Sequence, residues 1–269
     1  MSQYDAFTTV LARKDGHVLT VSLNRPAQRN AINGEVHESL RQILALAAAD
    51  EDVRVIVLRG EGKAFCAGGD VNTMAGADDG PGPSPALTVR STLDAARMVE
   101  MLLGVPQPVV CAVQGFAMGL GATVALLCDV VVMAEDAQIA DTHVNIGLVA
   151  GDGGAVIWPL LASLGAVKWH LLTGERISGV EAARLGLVLK AVPAAELDDA
   201  AQALAARLAL VAPLAVRGTK ETLNRVIRER INLLLDTGLL LEGATMVSED
   251  HHEAASAFLA KRPAVFKGR

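Results

Sequence analysis

Residues 108–134 read PVVCAVQGFAMGLGATVALLCDVVVMA, and Asp129 is their only formal charge. Length alone would allow this stretch to cross a membrane as one helix. Its internal division argues against that. PVVCAVQ is rich in β-branched residues, GFAMGLGATVALLCD carries three glycines and then a helical run, and VVVMA is strand-like again. A buried strand–helix–strand unit accounts for all three parts, because strands covered on both faces read as continuous apolar runs. The segment is therefore read as core, with no membrane partner.

Working outward, HVLTVSL (17–23) reads as a strand and RPAQRNAIN as a polar loop. Residues 34–49 place Val36, Leu40, Ile43, Leu44 and Ala47 on one helical face. VRVIVLRG (53–60) is a second buried strand, and AGADDGPGPSP (75–85) is a Gly/Pro/Asp loop. A helix should start with Ser84 as N-cap and Pro85 as its first residue, and run to about Leu103. In SGVEAARLG, Ser178 and Glu181 have capping-box spacing and Gly186 marks the stop. LVLKAV (187–192) is the last strand signal. Residues 195–260 are almost purely helical, which divides the chain into an α/β core, 1–195, and a helical part, 196–269. The apolar run INLLLDTGLLLEGATMV (231–247) packs either on the chain's own core or on another subunit.

The chain has 269 residues, of which 51% are hydrophobic and 20% charged, enough for a substantial core. The net charge is −6 and no dense basic cluster appears before the C-terminal end, so no nucleic-acid partner is expected. Cys66, Cys111 and Cys128 are scattered in apolar runs without CxxC spacing, which speaks against a disulfide framework or a zinc site and fits a reducing cytoplasm. MSQYDAFTTVLARKDG shows no basic stretch followed by an apolar one, so no signal peptide is expected.

KAFCAGGDV (63–71) and GFAMGLGA (115–122) each follow a buried strand and precede a helical pattern. Backbone N–H groups at such turns point outward unpaired, and two converging turns would form an oxyanion hole. Taken singly, each is explained by a tight turn that needs glycine. Together with LNRPAQRNAIN, PVVCAVQGFAMGLGATVALLCD, LLTGERISGVEAARLGLV and AFLAKRPAVFKGR, in that order, they resemble the crotonase, or enoyl-CoA hydratase/isomerase, superfamily. The resemblance implies an α/β spiral of ββα units with a C-terminal helical trimerisation region. It favours a subunit interface at 231–247 and a homotrimer or dimer of trimers. It also implies an acyl-CoA substrate, coenzyme A being part of that substrate, with no permanently bound cofactor and no metal. Residue by residue, the resemblance makes Gly69 and Leu120 the oxyanion donors. The adenine and pantetheine contacts fall on Gln28, Arg29, Ala67 and Val71.

Hydratases of this family use two glutamates, and paired carboxylates suit hydration because one handles water and the other the α-carbon proton. At those positions this sequence has Thr123, assigned to the acyl pocket, and His143. Hydration of simple 2-enoyl-CoA is accordingly expected to be poor. His143 is the candidate acid–base group, since imidazole titrates near neutral pH. Asp152, nine residues on, either orients that ring or caps the helix starting at Gly153. The His and the Gly-Asp-Gly turn are also similar to the β-diketone hydrolase branch, whose members cleave a carbon–carbon bond by water attack on a ketone. A chain that binds acyl-CoA but has lost its chemistry is the third possibility. Asp70 is read as bracing its turn and Asp129 as buried against backbone. Asp78 and Asp79 are placed on the polar loop, Trp158 and Trp169 in the core, and Glu242 reaches a site only through packing the sequence does not reveal.

Overall fold

The computed structural model describes residues 3–70 and 85–269. Val71, Asp78, Asp79 and Ser84 lie outside them. The chain opens with an antiparallel hairpin, β1 (Val10–Asp15) and β2 (Val18–Leu23), closed by the two residues Gly16 and His17. Gly16 has φ +53°, the positive value that two-residue hairpin loops require. β1 left no strand signal in the sequence. As an edge strand it buries Val10 fully and leaves most of the rest in solvent, so no clean alternation forms.

From β2 onward each stretch of chain repeats one pattern. A strand enters a six-stranded sheet ordered β1-β2-β3-β4-β6-β9, an extended piece follows beside a second layer, and a helix returns. After β2, Ile32 bridges Gly69, and helix α1 (Gly34–Ala49) follows with Asn33 accepting from the Val36 amide at 3.0 Å. After β3 (Val55–Gly60), Cys66 bridges Ala117, and α2 (Pro85–Gly104) returns. After β4 (Val109–Val113) come β5 (Phe116–Met118) and α3 (Leu120–Leu126). After β6 (Val130–Ala134) comes β7 (Gln138–Ala140). β5, β7 and β8 (Ile177–Ser178) form the smaller sheet, and β9 (Lys190–Val192) completes the larger. Successive ββα turns stack with parallel pairing from β2 to β9, which is a spiral. The strand–helix–strand reading of residues 108–134 corresponds to β4, β5, α3 and β6. Among the described residues no single helix is long and apolar enough to cross a membrane.

Helices α4 (Gly154–Leu161), α5 (Leu164–Thr173) and α6 (Gly179–Leu185) lie between the strands β7 and β9. Ser178 caps α6 by accepting from the Glu181 amide at 3.2 Å, but Glu181 turns to Arg184, so only half of the capping box forms. Trp158 is fully buried, whereas Trp169 is 60% exposed, which corrects its assignment to the core: it lies on the outer face of α5 with Leu172.

The C-terminal helices are α7 (Leu197–Ala209), α8 (Pro213–Met246) and α9 (Glu249–Leu259). α7 lays Leu197, Ala201, Ala205 and Ala209 on the large sheet, the i, i+4 stripe that brings a helix close to a flat surface. α8 buries a narrow stripe with polar groups at its ends: Lys220, Asn224, Ile231, Leu235, Leu239 and Glu242. Lys220 Nζ donates to Asp129 Oδ2 at 2.7 Å and to the Gln107 carbonyl at 2.9 Å; Asn224 donates to the Leu103 carbonyl at 3.1 Å. Asp129 also accepts from the Val109 amide, as expected, but the residue is exposed rather than buried, lying at the surface end of its pair with the buried Lys220. These bonds fix α8 along the core.

Candidate active site

The two glycine-rich turns meet. The Met118 amide donates to the Cys66 carbonyl at 3.0 Å, and the Asp70 amide to the Ile32 carbonyl at 3.0 Å. Gly68 has φ +98°, and a Cβ there would stand 2.7 Å from the Met118 oxygen and 3.7 Å from the Leu120 nitrogen. Only glycine lets the loops approach this closely. Gly69 and Leu120 are half-buried, and neither amide has a hydrogen-bond partner among the described residues. Leu120 opens α3, so its N–H is one of the orphans that every helix start leaves. Asp70 is buried and accepts from Arg25 Nη1 at 2.9 Å, holding the first turn. Asn30, which the sequence reading passed over, ties the loop before α1 to the turn after β3 by donating to the Glu61 and Ala64 carbonyls.

Gln28 and Arg29 are exposed at the 3-10 turn Pro26–Gln28, with the Arg29 guanidinium 6.0 Å from the centroid of the Phe116 ring. The Ala67 amide donates to the Arg29 carbonyl at 3.0 Å, which places these three contacts together on the outer side of the first turn. Arg29 offers a cation to an anionic ligand there.

β7 delivers Asp141, and a short turn, His143–Ile146, follows directly. His143 Nδ1 donates to Asp141 Oδ1 at 2.6 Å, and His143 Nε2 lies 3.1 Å from Asp152 Oδ2 as an ion pair. Thr123 Oγ1, on α3, donates to Asp152 Oδ1 at 3.0 Å. Asp141, His143 and Asp152 are 1%, 6% and 3% exposed, so the ring is enclosed between two buried carboxylates. Burial alone would lower the basicity of His143. The charges of Asp152 and Asp141 and their hydrogen bonds outweigh it and hold the ring well above its ordinary pKa. Burial likewise pushes Asp152 up, but the His143 charge, the bonds from His143 and Thr123 and the Gly154 amide bring it below the ordinary range. The two flanking carboxylates favour the charged form of the ring. Asp152 thus both holds the ring and meets an amide at the start of α4, whose N-cap position is Gly153.

The turn GDGG (151–154) allows this enclosure. A Cβ on Gly154 would collide with Asp141 Oδ2, and one on Gly153, at φ +126°, would stand 2.7 Å from Thr123 Cγ2. A Cβ on Gly119 would lie 3.5 Å from His143 Cε1 and 3.8 Å from Nε2, so the Nε2 edge of the ring faces the residue before the Leu120 amide. α9 supports the turn from outside, where His251 Nδ1 donates to the Ile146 carbonyl at 2.7 Å. Burial lowers the His251 pKa and keeps that ring neutral.

Asp141, His143 and Asp152 can each offer one ligand atom, all within 4.8 Å of one another. Nδ1 is bonded to Asp141 and Nε2 is paired with Asp152, so the three groups form one buried ion cluster. The structure also adds Glu242 from α8. It is 5% exposed, and its Oε2 has no hydrogen-bond partner. Burial, then the Asp152 and Asp141 charges, push its pKa up to about 8, against the opposing effects of His143 and the Gly151 amide. Gly238, one turn earlier, is the signal that could have pointed there. A glycine inside a helix costs about 1 kcal/mol against alanine, and here it lets α8 approach Gly151, whose Cα would lie 3.1 Å from a Cβ on Gly238.

A ββα spiral carrying two free amides beside a buried acid–base cluster is the crotonase fold with the equipment of an enzyme. The family model for enoyl-CoA hydratase/isomerase matches residues 13–269. The chain is 32% identical to 1,2-epoxyphenylacetyl-CoA isomerase of Escherichia coli (strain K12) over 260 residues, covering 97% of this chain and 98% of that one. It is 34% identical to 2,3-dehydroadipyl-CoA hydratase of the same organism, covering 97% and 99%. An enoyl-CoA hydratase/isomerase structure from Mycobacterium paratuberculosis superposes with a TM-score of 0.84 at 35% identity, covering 94% and 99% of the two chains. The chain belongs to the enoyl-CoA hydratase/isomerase family and is an enzyme of that family.

Proposed function

We propose that this enzyme moves a proton on an acyl-CoA thioester, with coenzyme A carried by the substrate and no separate cofactor. The Gly69 and Leu120 amides receive the thioester oxygen and stabilise the negative charge that develops on it as an enolate forms. His143 is the proton carrier. The observation that supports this reading is the placement of its ring, 2.6 Å from Asp141 and 3.1 Å from Asp152, with its Nε2 edge toward Gly119. Because the flanking carboxylates favour the charged ring, it acts as an acid: Nε2 delivers its proton to the enolate once a base has formed it. Asp141 holds Nδ1 throughout and fixes which nitrogen reacts. Thr123, at the place of a family glutamate, keeps Asp152 in line rather than exchanging protons. Arg29 draws the anionic end of the substrate toward the first turn. The exposed leucines of α8, among them Leu233, Leu240 and Leu241, support a homotrimer or dimer of trimers built through the helical part 196–269.

The test pairs the unsubstituted enzyme with His143→Gln on a panel of acyl-CoA and β-dicarbonyl compounds, with products followed by mass and acyl-CoA binding by calorimetry. The expected result is retained acyl-CoA binding with turnover lower by about 10²–10⁴-fold, the usual contribution of a positioned acid or base. Fast crotonyl-CoA hydration that ignores the substitution would overturn the role of His143. Turnover of a cyclic diketone without any binding of CoA esters would overturn the substrate class.

A further inference from the structure

An acid alone does not complete a proton shift, because a second group must take up a proton for each one delivered. The sequence positions that resemble the family's glutamates hold Thr123 and His143, and the Thr123 hydroxyl is already spent on Asp152. Asp152 is paired with the ring and bonded by Thr123, and Asp141 holds Nδ1 through Oδ1, its Oδ2 being buried without a hydrogen-bond partner behind the ring nitrogen that stays fixed. Glu242 is the carboxyl group that remains. It sits on α8, at the far end of the chain from the oxyanion turns, and reaches the site across paired glycines. A Cβ on Gly151 would collide with the Gly238 carbonyl and stand 2.8 Å from Glu242 Oε2. That oxygen is buried and has no partner.

We propose that Glu242 is the second proton-carrying group of this site, the base that works opposite the His143 acid. The proposal rests on the acyl-CoA reading above. In the working state the cluster holds a charged His143 and an ionised Glu242. Glu242 takes a proton from the substrate carbon or from water, and the electron pair left behind is received as an enolate or as a new C–O bond. His143 Nε2 gives its proton to the other carbon, leaving neutral imidazole. Glu242 then releases its proton and neutral His143 takes one up from solvent, which restores the starting state. Protons gained and lost balance, and no other reactant is needed.

The charge environment sets the pH at which this state exists. The charged groups acting on Glu242 are Asp152, His143 and Asp141. α2 presents Thr88 and Thr92 near Gly243, α4 carries no charged residue, and His251 on α9 is committed to the Ile146 carbonyl. With Glu242 raised to about 8 and His143 well above its ordinary value, neutral solution holds both protons on the cluster. Loss of the first gives the working state and loss of the second ends it, so kcat should follow a bell whose limbs belong to the pair.

The experiment measures kcat and KM against pH for the unsubstituted enzyme and for Glu242→Gln. In the same preparations the infrared band of a protonated buried carboxyl group is followed with pH, and acyl-CoA binding is measured by calorimetry. We expect a rising kcat limb near pH 8 that vanishes in Glu242→Gln, with kcat lower by about 10²-fold or more and acyl-CoA binding kept. The infrared band should disappear across the same limb. An unchanged limb in Glu242→Gln, or a carboxyl band absent already at pH 6, would overturn the proposal. The band is read in the unsubstituted enzyme, so the test survives a variant that fails to fold. Absence of any acyl-CoA binding would instead break the substrate reading, while the infrared titration would still report on Glu242.

Discussion

The oxyanion turns and the acid–base cluster lie side by side, yet they are built in opposite ways. The turns at 66–70 and 118–121 are main-chain devices. Their chemistry is two amide donors, held by short-range bonds such as Met118 to Cys66 and by a glycine that no larger residue can replace. The cluster is a side-chain device gathered from four places: Asp141 at the end of β7, His143 in the next turn, Asp152 in the GDGG turn and Glu242 on α8. The proposed donor at Leu120 is main-chain, so the side chain there can vary without removing it. In the cluster each side chain is the chemistry itself, so changing one changes the reaction. On the proposed function, the fold keeps the electrostatic half of catalysis fixed and leaves the proton-transfer half free to vary.

The sharpest way to separate the two halves is to remove a main-chain donor. Proline is tolerated at the first position of a helix, where its missing N–H serves no intrahelical bond, and Leu120 occupies that position in α3. Leu120→Pro should keep the fold, measured by circular dichroism, and lower kcat by about 10²–10³-fold, the cost of one oxyanion donor. The pH profile should keep its shape, because the cluster is untouched. A changed profile with normal kcat would mean that the amide takes no part and that Leu120 acts only through packing on the ring.

The same contrast explains how much of the molecule was legible in its sequence. α1, β4, β6 and the cap of α6 announced themselves because periodicity, β-branched runs and a Ser at N-cap spacing are local signals. The spiral and the oxyanion turns came through the order of motifs that resemble a family. His143 and Asp152 were legible as a pair, nine residues apart on one loop. Asp141 was not, although it lies two residues from His143, because nothing local says that an aspartate after a strand will fold back on the neighbouring ring. Glu242 lay beyond local reading for a different reason. Ninety residues separate it from Asp152, and the approach of Gly238 to Gly151 that brings α8 so close shows only in the structure. Trp169 misled because a large apolar residue on a short helix is a core residue by default, and here it faces outward.

If the cluster is held for chemistry rather than for stability, Glu242 should cost folding free energy, and the cost should depend on pH. Its pKa rises from an ordinary 4.5 to about 8 in the folded chain. A group whose folded pKa is raised contributes its full share of stability below the unfolded value and loses it as pH climbs through the folded one. Between those two values the unfolded chain has released a proton that the folded chain still holds, so stability falls with rising pH. Glu242→Gln removes that slope. Relative to the unsubstituted enzyme, the variant should gain thermal stability progressively from about pH 4.5 and reach its full gain above about pH 8, with none at lower pH. The gain is of the order of a few kcal/mol. Equal melting temperatures at pH 5 and pH 9 would place Glu242 in water-like surroundings and undo its contrast with the main-chain half of the site.

The smallest expected effect tests the joint between the halves. Thr123 stands one helical turn after the Leu120 amide on α3, and its hydroxyl donates to Asp152 at 3.0 Å. One short helix therefore presents the proposed oxyanion donor at its first residue and a tether for Asp152 at its fourth. Thr123→Val keeps the shape but leaves Asp152 Oδ1 without that bond. The site is fully buried, and a hydrogen bond to a charged group contributes about 1.5–3 kcal/mol. Asp152 keeps the His143 bond and the Gly154 amide, so the loss should fall at the lower end of that range. Asp152 then holds its charge less firmly and drifts relative to the ring. kcat should fall by roughly 10-fold, as a loss near 1.4 kcal/mol implies, while acyl-CoA binding stays the same. If Thr123→Val changed KM and left kcat alone, Thr123 would belong to the acyl pocket, and the two halves of the site would be joined only by the backbone between Gly119 and Leu120.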